Sequence, residues 1–462
     1  MTIDRRIEDR LPRVLAELGA GPEPDYADLV LARATHARQR PGWVQPNLWM
    51  PRVVAPTIVG RRLAPALGLL LLVLALAAAA VYIGTRPRLP QPFGPARNGA
   101  IVYSSGGDIF AGTLDGAKTL IVGGSDVDFD PFYAPDGTRI AFYRQVGTTV
   151  DTTTDLMVVN ADGTGLTRLT EHPLLEIPSL ASWTPDSGSV VVLTNQRLDG
   201  HLLSFDAIRP TEPRVIDQAV RDLGLRIDSF AFEPPAGRRI LFSGQIDIRR
   251  GLYTMDADGT NLKTLIEPFV DDIPQSTGPY WSLETDLREL RDSIWSPDGR
   301  SIVTQRAEVT TQSGQWRLFM MDRDGHGIHA ITTPSSDSID ANPIWSPDGT
   351  RIAFLRYDIG KAAWRYAVLR LADGQVTITG PTAPDGLDPN DFEPGLPIIA
   401  WSPDGSRLFA VERAGNRNAY ILDPDGRPFQ TLSGWGVETP HSWGLLGMNG
   451  FDIGSWQRLA SP

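Results

Sequence analysis

One short phrase recurs along this chain at a near-constant interval. WSPDG stands at 295–299, 345–349 and 401–405, with degenerate copies in YAPDG (133–137), WTPDS (183–187) and FEPPAGRR (232–239). Taking the prolines as 135, 185, 235, 297, 347 and 403, the spacings are 50, 50, 62, 50 and 56. Pro at the second and Gly at the fourth position of a four-residue stretch is turn chemistry. The residues after the turn, as in RIAFLR (351–356), leave it with alternating apolar side chains, as a strand does. A unit of that length cannot bury its own apolar face and has to stack on its neighbours, so the repeat constrains the fold more than any local propensity does.

The unit beginning at residue 342 shows the pattern. NPIWS enters the turn, RIAFLR leaves it, WRYAVLRL alternates again, ADG turns, and QVTITG closes a fourth strand. Runs of the second, third and fourth type begin near 99, 139, 189, 239, 300, 351 and 407, which makes seven sets. The first set has no strand of the first type before it, and FDIGSWQRL (451–459) at the chain end is such a strand without successors. Pairing the two would close a ring and remove its open edge. The expectation is therefore an all-β propeller of seven four-stranded antiparallel blades over residues 99–460, with six blades and irregular ends as the alternative.

These motifs, together with NADGTGLTRLT at 160–170, resemble the TolB-like (WD-repeat-like) β-propeller family over roughly residues 99–460. The resemblance implies the fold. It leaves the activity open, since this repeat serves periplasmic scaffolds, peptidase accessory domains and sensors alike.

Composition narrows the function classes. A formal net charge of -12 and a pI near 5.0 speak against nucleic acid as the partner, because a polyanion needs a basic stripe. Cysteine is absent, which excludes disulfides, thiolate nucleophiles and Cys-ligated zinc. No G-x-S-x-G elbow and no H-E-x-x-H pair occur, so the chain is expected to be no enzyme, with neither cofactor nor bound metal. The repeated Asp of SPDG reads as a side chain bonding its own turn. NADG (160–163), DADG (256–259), DRDG (322–325) and DPDG (423–426) open like calcium loops but run straight into strand residues, which makes them hairpin turns. His326 and His329 flank one of these turns as solvated histidines.

Residues 63–83, LAPALGLLLLVLALAAAAVYI, are free of charge and long enough to span a bilayer as one helix of about 20 residues. The alternative is a cleaved signal peptide, against which stands a 62-residue leader. Ten Arg lie in that leader against seven Asp and Glu, which places the N-terminus in the cytoplasm and the propeller outside it, as a single-pass membrane protein. A Pro-rich linker at 84–98 acts as a semi-rigid spacer. In residues 1–62, Leu11, Leu15, Leu18, Tyr26 and Leu29 fall on apolar faces of two short helices that need a membrane surface or a protein partner. A short helical cytoplasmic segment, one span and an exported domain resemble the layout of membrane anti-sigma factors, and imply signalling to a partner such as a sigma factor.

Turns of the SPDG and ADG type share one face of a propeller, so the variable loops occupy the other. The longest, 267–293, carries Asp271, Asp272, Tyr280, Trp281, Glu284 and Asp286, and the loop at 383–395 adds Asp388 and Asp391. Carboxylates among aromatic rings suit a cationic or sugar-like ligand, or a basic protein patch. The functional expectation is a membrane-anchored binding or sensor module, with a structural envelope scaffold as the alternative and a propeller accessory to a hydrolase third.

Overall fold

The computed structural model describes residues 68–76 and 89–460, apart from 147–152, 175–179, 195–200, 248, 271–292, 311–312, 334–337, 362, 382–397, 412–417, 434 and 436–454. Within these, the chain forms seven antiparallel sheets of four strands each. The sequence's preferred count of seven blades therefore holds, and six does not. In chain order the inner strands of blades 2 to 7 are Asp128–Tyr133, Leu180–Trp183, Arg226–Phe232, Ser293–Trp295, Ser338–Trp345 and Ile398–Trp401. Blade 1 takes its inner strand, Ser455–Leu459, from the chain end and its next three, Arg97–Ser105, Asp108–Gly112 and Lys118–Val122, from the beginning of the domain.

Burial falls off from the middle of each blade to its rim. The second strands, such as Arg139–Val146 and Arg351–Asp358, bury four consecutive residues because neighbouring blades cover both of their faces. Outermost strands such as Arg214–Val215 and Gln430–Thr431 are exposed. That gradient explains why second strands read as unbroken apolar runs, IAFY, VVVL and IAFL, rather than as strict alternation. The buried side chains group between blades; one such cluster joins Phe132, Tyr143 and Leu156 of blade 2 to Trp183, Val190 and Phe205 of blade 3.

Closure rests on the pairing of Ser455–Leu459 with Arg97–Ser105, in which Val102 faces Ser455, Ile101 faces Trp456 and Asn98 faces Arg458 across a bulge. The bulge is where Gly99 meets Gln457. A Cβ at Gly99 would lie 2.6 Å from the Gln457 amide oxygen, so no larger residue fits there without a shift. The Gln457 side chain donates onward to the Gly137 carbonyl at 2.8 Å, and Ser455 Oγ accepts from Tyr133 N–H at 3.1 Å. The terminal strand thus holds both its own blade and the turn of the next. Trp456 packs with Ile101, Tyr103, Phe409, Val411 and Trp435, sealing blade 1 against blade 7.

The divergent copy FEPPAGRR forms a turn one residue longer than the others. Gly237 N–H bonds Glu233 carbonyl four residues back, where Gly299 bonds Ser296 three back. The residue standing where the other turns have their proline is consequently Pro234, and the sequence alignment on Pro235 is corrected by one position. Glu233 replaces the serine and is gripped by Arg239 at 2.7 and 3.0 Å and by Arg323 of blade 5 at 2.7 Å.

Residues 68–76 are helical, and among the described residues no helix is long and apolar enough to cross a membrane. The rest of the apolar stretch 63–83 lies outside the described residues, as do Leu11, Leu15, Leu18, Tyr26 and Leu29. Contacts divide the chain at residues 86 and 87, inside the Pro-rich linker.

Replacing Trp456 by Ala is expected to cost about 3 to 5 kcal/mol, the range for an aromatic removed from a packed core. Phe429→Ala, on an exposed ring, should change stability by less than about 0.5 kcal/mol. Urea unfolding followed by circular dichroism checks both.

Candidate functional site

The repeated Asp is a turn lock. Asp348 Oδ1 accepts from Ser346 Oγ at 2.6 Å, Thr350 N–H at 3.0 Å and Thr350 Oγ1 at 2.9 Å, while Ser346 Oγ accepts from Arg351 N–H at 2.9 Å. Asp404 repeats the set with Ser402, at 2.7 Å, and Ser406. Asp136 bonds Thr138 and Asp186 bonds Thr184 and Gly188 in the same manner. The second family of turns uses the same device: Asp162 holds Thr164, Asp258 holds Thr260, and Asp322 accepts from Asp324 and His326 N–H. Backbone bonds from Ala161 to Thr138, Arg323 to Arg300 and Leu371 to Thr350 tie the two turn families together on one face. These carboxylates are occupied by their own turns and are not free for chemistry.

That same face opens the central channel. Two residues before each turn proline stands an aromatic ring: Tyr133, Trp183, Phe232, Trp295, Trp345 and Trp401, and at the equivalent place in blade 1, Trp456. All seven line one cavity of about 350 Å³, together with the turn prolines Pro135, Pro185, Pro234, Pro297, Pro347 and Pro403. Two of the rings are tied to the neighbouring blade. Trp183 Nε1 donates to Phe132 carbonyl at 3.3 Å and Trp401 Nε1 to Ile344 carbonyl at 3.2 Å, both in the preceding blade. The indole N–H groups of Trp295, Trp345 and Trp456 are shielded from water and find no acceptor among the described residues.

Blade 1 breaks the proline ring. Its inner and second strands come from opposite ends of the domain, so no turn joins them, and Arg458 occupies the place of the seventh proline. The gap is filled by Pro92, Phe93 and Gly94, which also line the cavity. Arg458 donates to the carbonyls of Gln91, from Nε at 3.3 Å and Nη2 at 3.0 Å, and of Gly94. No carboxylate lies within ion-pair distance of it among the described residues, and burial lowers its pKa to about 10, so it stays a cation at neutral pH. Burial pushes the Tyr133 phenol up, and among the described residues these two are the only titratable side chains lining the cavity.

The acidic and aromatic residues expected on the opposite face, Asp271, Asp272, Tyr280, Trp281, Glu284, Asp286, Asp388 and Asp391, lie outside the described residues. Three described acids are paired: Asp128 takes a bidentate grip from Arg144 at 2.7 and 2.8 Å, Asp126 meets Arg144 at 3.1 Å, and Asp340 is held by Arg356 at 2.6 and 2.8 Å. His326 is exposed, 3.6 Å from Asp322, and His329 contacts the Gly327 carbonyl. Exposed Glu171, His172 and Glu212 bring donor atoms within 4.8 Å of one another on the outer rim. The aromatic ring and its break are present in the sequence as the Trp before each SPDG and as QR in place of SP in SWQRL.

The sequence matches no family model. It is 28% identical over 212 residues to the "Tol-Pal system protein TolB" of Anaeromyxobacter dehalogenans (strain 2CP-C), which is 46% of this chain and 39% of that protein. It is 29% identical over 161 residues to the "Protein TolB homolog" of Chlorobium chlorochromatii (strain CaD3), a third of each chain at 33%. The chain therefore spans well under half the length of these relatives. Among solved structures, an oligogalacturonate lyase from Vibrio parahaemolyticus superposes with a TM-score of 0.50 at 11% identity, over 78% of this chain and 90% of that one. TolB from Acinetobacter baumannii reaches 0.46 at 19% identity over 69% and 66%. The domain is a seven-bladed β-propeller, similar over part of its sequence to TolB proteins; likeness at such identities to solved structures speaks for fold alone.

The turn carboxylates generate a pH dependence. Thr164 and Thr184 hydroxyls hold Asp162 and Asp186 below the usual carboxylate range; at Asp348 burial pushes upward, but the bonds from Ser346 and Thr350 outweigh it. A carboxylate whose folded pKa is depressed stabilises the fold fully above its unfolded value and loses that contribution as pH falls. Stability should accordingly hold from about pH 7 to 5 and decline below about pH 4. Asp348→Ala should cost about 1 kcal/mol at pH 7 and less at low pH, measured as urea midpoints across that range.

Proposed function

We propose that this chain is a non-catalytic binding protein of the TolB type, a structural member of an envelope assembly, which docks a protein partner at the channel mouth on the turn face. The observation that carries this reading is the mouth itself. Seven aromatic rings and six prolines present apolar surface around an open cavity, which an entering apolar segment can cover. The curated relatives whose names place them in a Tol-Pal system support a role within a multiprotein assembly.

The reading without catalysis is supported by the same lining. General acid and base chemistry needs groups that exchange protons near the working pH, and a buried Tyr133 and a permanently charged Arg458 do not. The uncharged stretch at 63–83 supports an anchor of one membrane span ahead of the propeller, with the propeller on the outer side.

A photo-cross-linking amino acid placed at Ile344 or Ile294, both on the cavity wall, is expected to capture the same envelope protein in cells. The control is Ile208, which is exposed away from the cavity. Capture at Ile208 as efficient as at the two cavity positions, or no capture at either, rules out docking at this mouth.

A further inference from the structure

We infer that the channel mouth recognises a proline-flanked aromatic segment, and that the chain's own Gln91–Gly94 strap is its resident, displaceable occupant, latched by Arg458. The inference rests on the reading of the mouth as a protein-docking site and adds both the chemistry of what enters and a control on entry.

Three observations converge on the strap. The first is geometric: six blades close the mouth with a turn proline, and the seventh lacks that turn because the ring is joined there by two ends of the domain. Pro92 and Phe93 line the cavity next to Arg458, which holds the carbonyls on either side of them, so a proline and a ring from the linker join the wall at the one blade without a turn proline. The second is conformational. LPQPFGPARN, residues 89–98, carries Pro90, Pro92 and Pro95, whose fixed φ reduces the freedom lost on docking, and the chain bends at 92–94. Gly94 at φ +80° folds it back toward the strand that begins at Arg97, and Ala96 N–H fixes the exit on the Pro403 carbonyl at 2.8 Å.

The third is energetic. Arg458 sits in an apolar rim with carbonyl oxygens of Gln91 and Gly94 as its acceptors and no carboxylate in reach among the described residues. A carbonyl is a weaker partner for a guanidinium than a carboxylate, and water or an incoming segment can replace it. The latch therefore seats the strap without locking it. An incoming Pro-aromatic segment offers the same carbonyls and the same ring, and exchanges for the strap one for one.

The test uses the full chain, which contains no cysteine, so that Ser182→Cys in the cavity wall supplies a single thiol. Its maleimide labelling rate reports whether the mouth is covered. Phe93→Ala and Arg458→Gln should each raise that rate about tenfold, as expected for losing one ring contact or a pair of charge-assisted bonds. Arg458→Lys, which keeps the charge but not the forked geometry, should raise it less. A synthetic peptide of residues 89–98 should slow labelling in the Phe93→Ala protein, and the same peptide with Phe93→Ala should not. Unchanged rates in both Phe93→Ala and Arg458→Gln would overturn the gate, since the two act on the strap from opposite sides and a folding defect in one leaves the other to decide. Faster labelling with no protection by either peptide would overturn the recognition. Neither readout involves a partner, so failure of cross-linking at Ile344 alongside a responsive gate would instead defeat the docking function.

Discussion

Everything in this propeller depends on one strand pairing, that of Ser455–Leu459 with Arg97–Ser105. Six blades are covalently continuous units, each feeding the next, but a ring of sheets is stable only when no blade is left with an uncovered apolar face. Blade 1 is assembled from both ends of the domain, and its closing strand reaches past its own sheet: Gln457 binds the Gly137 carbonyl and Ser455 the Tyr133 N–H in blade 2. Trp456 does the same work toward blade 7. The closing strand therefore carries structural duties that the other inner strands share out between a turn and a neighbour.

The same join makes blade 1 unlike the rest and gives the channel mouth its asymmetry. Where a Pro turn would stand, there is Arg458, and where the other blades present no charged side chain, this one presents a cation reaching toward backbone carbonyls. A seven-fold repeat with one irregular unit is a common route from a scaffold to a site, because identical positions cancel any directional preference and a single departure restores it. The Asp of the turns in blades 3, 6 and 7, by contrast, recurs from blade to blade and is consumed by its own loop.

Legibility in the sequence differed by kind of feature. The seven blades, the shared face of the two turn families and the closing role of the last strand could all be read from spacing, since each follows from turn chemistry repeated at a fixed period. The one misplacement, Pro235 for Pro234, came from a turn with an extra residue, whose length only the hydrogen bonds of Glu233 and Gly237 reveal. The site was less legible. Acidic loops draw attention because charge is conspicuous in a sequence, yet Asp128 and Asp340 prove to be held by Arg144 and Arg356 in bidentate pairs. The partners are 16 residues apart in each case, a separation that carries no meaning until the strands pair in register.

What the sequence by itself determined is the local chemistry: where the chain turns, where strands follow the turns, and that the repeat must close on itself. Those properties depend on neighbours along the chain and on a period, and both are printed in the order of residues. What only the tertiary structure decided is convergence. Seven rings separated by some 50 residues each become one cavity wall, Arg458 meets Gln91 and Gly94 from the far end of the domain, and the linker becomes part of the channel mouth. Contacts of that kind arise from ring closure, which brings the first and last strands together, and no local pattern in either one specifies the other's side chains.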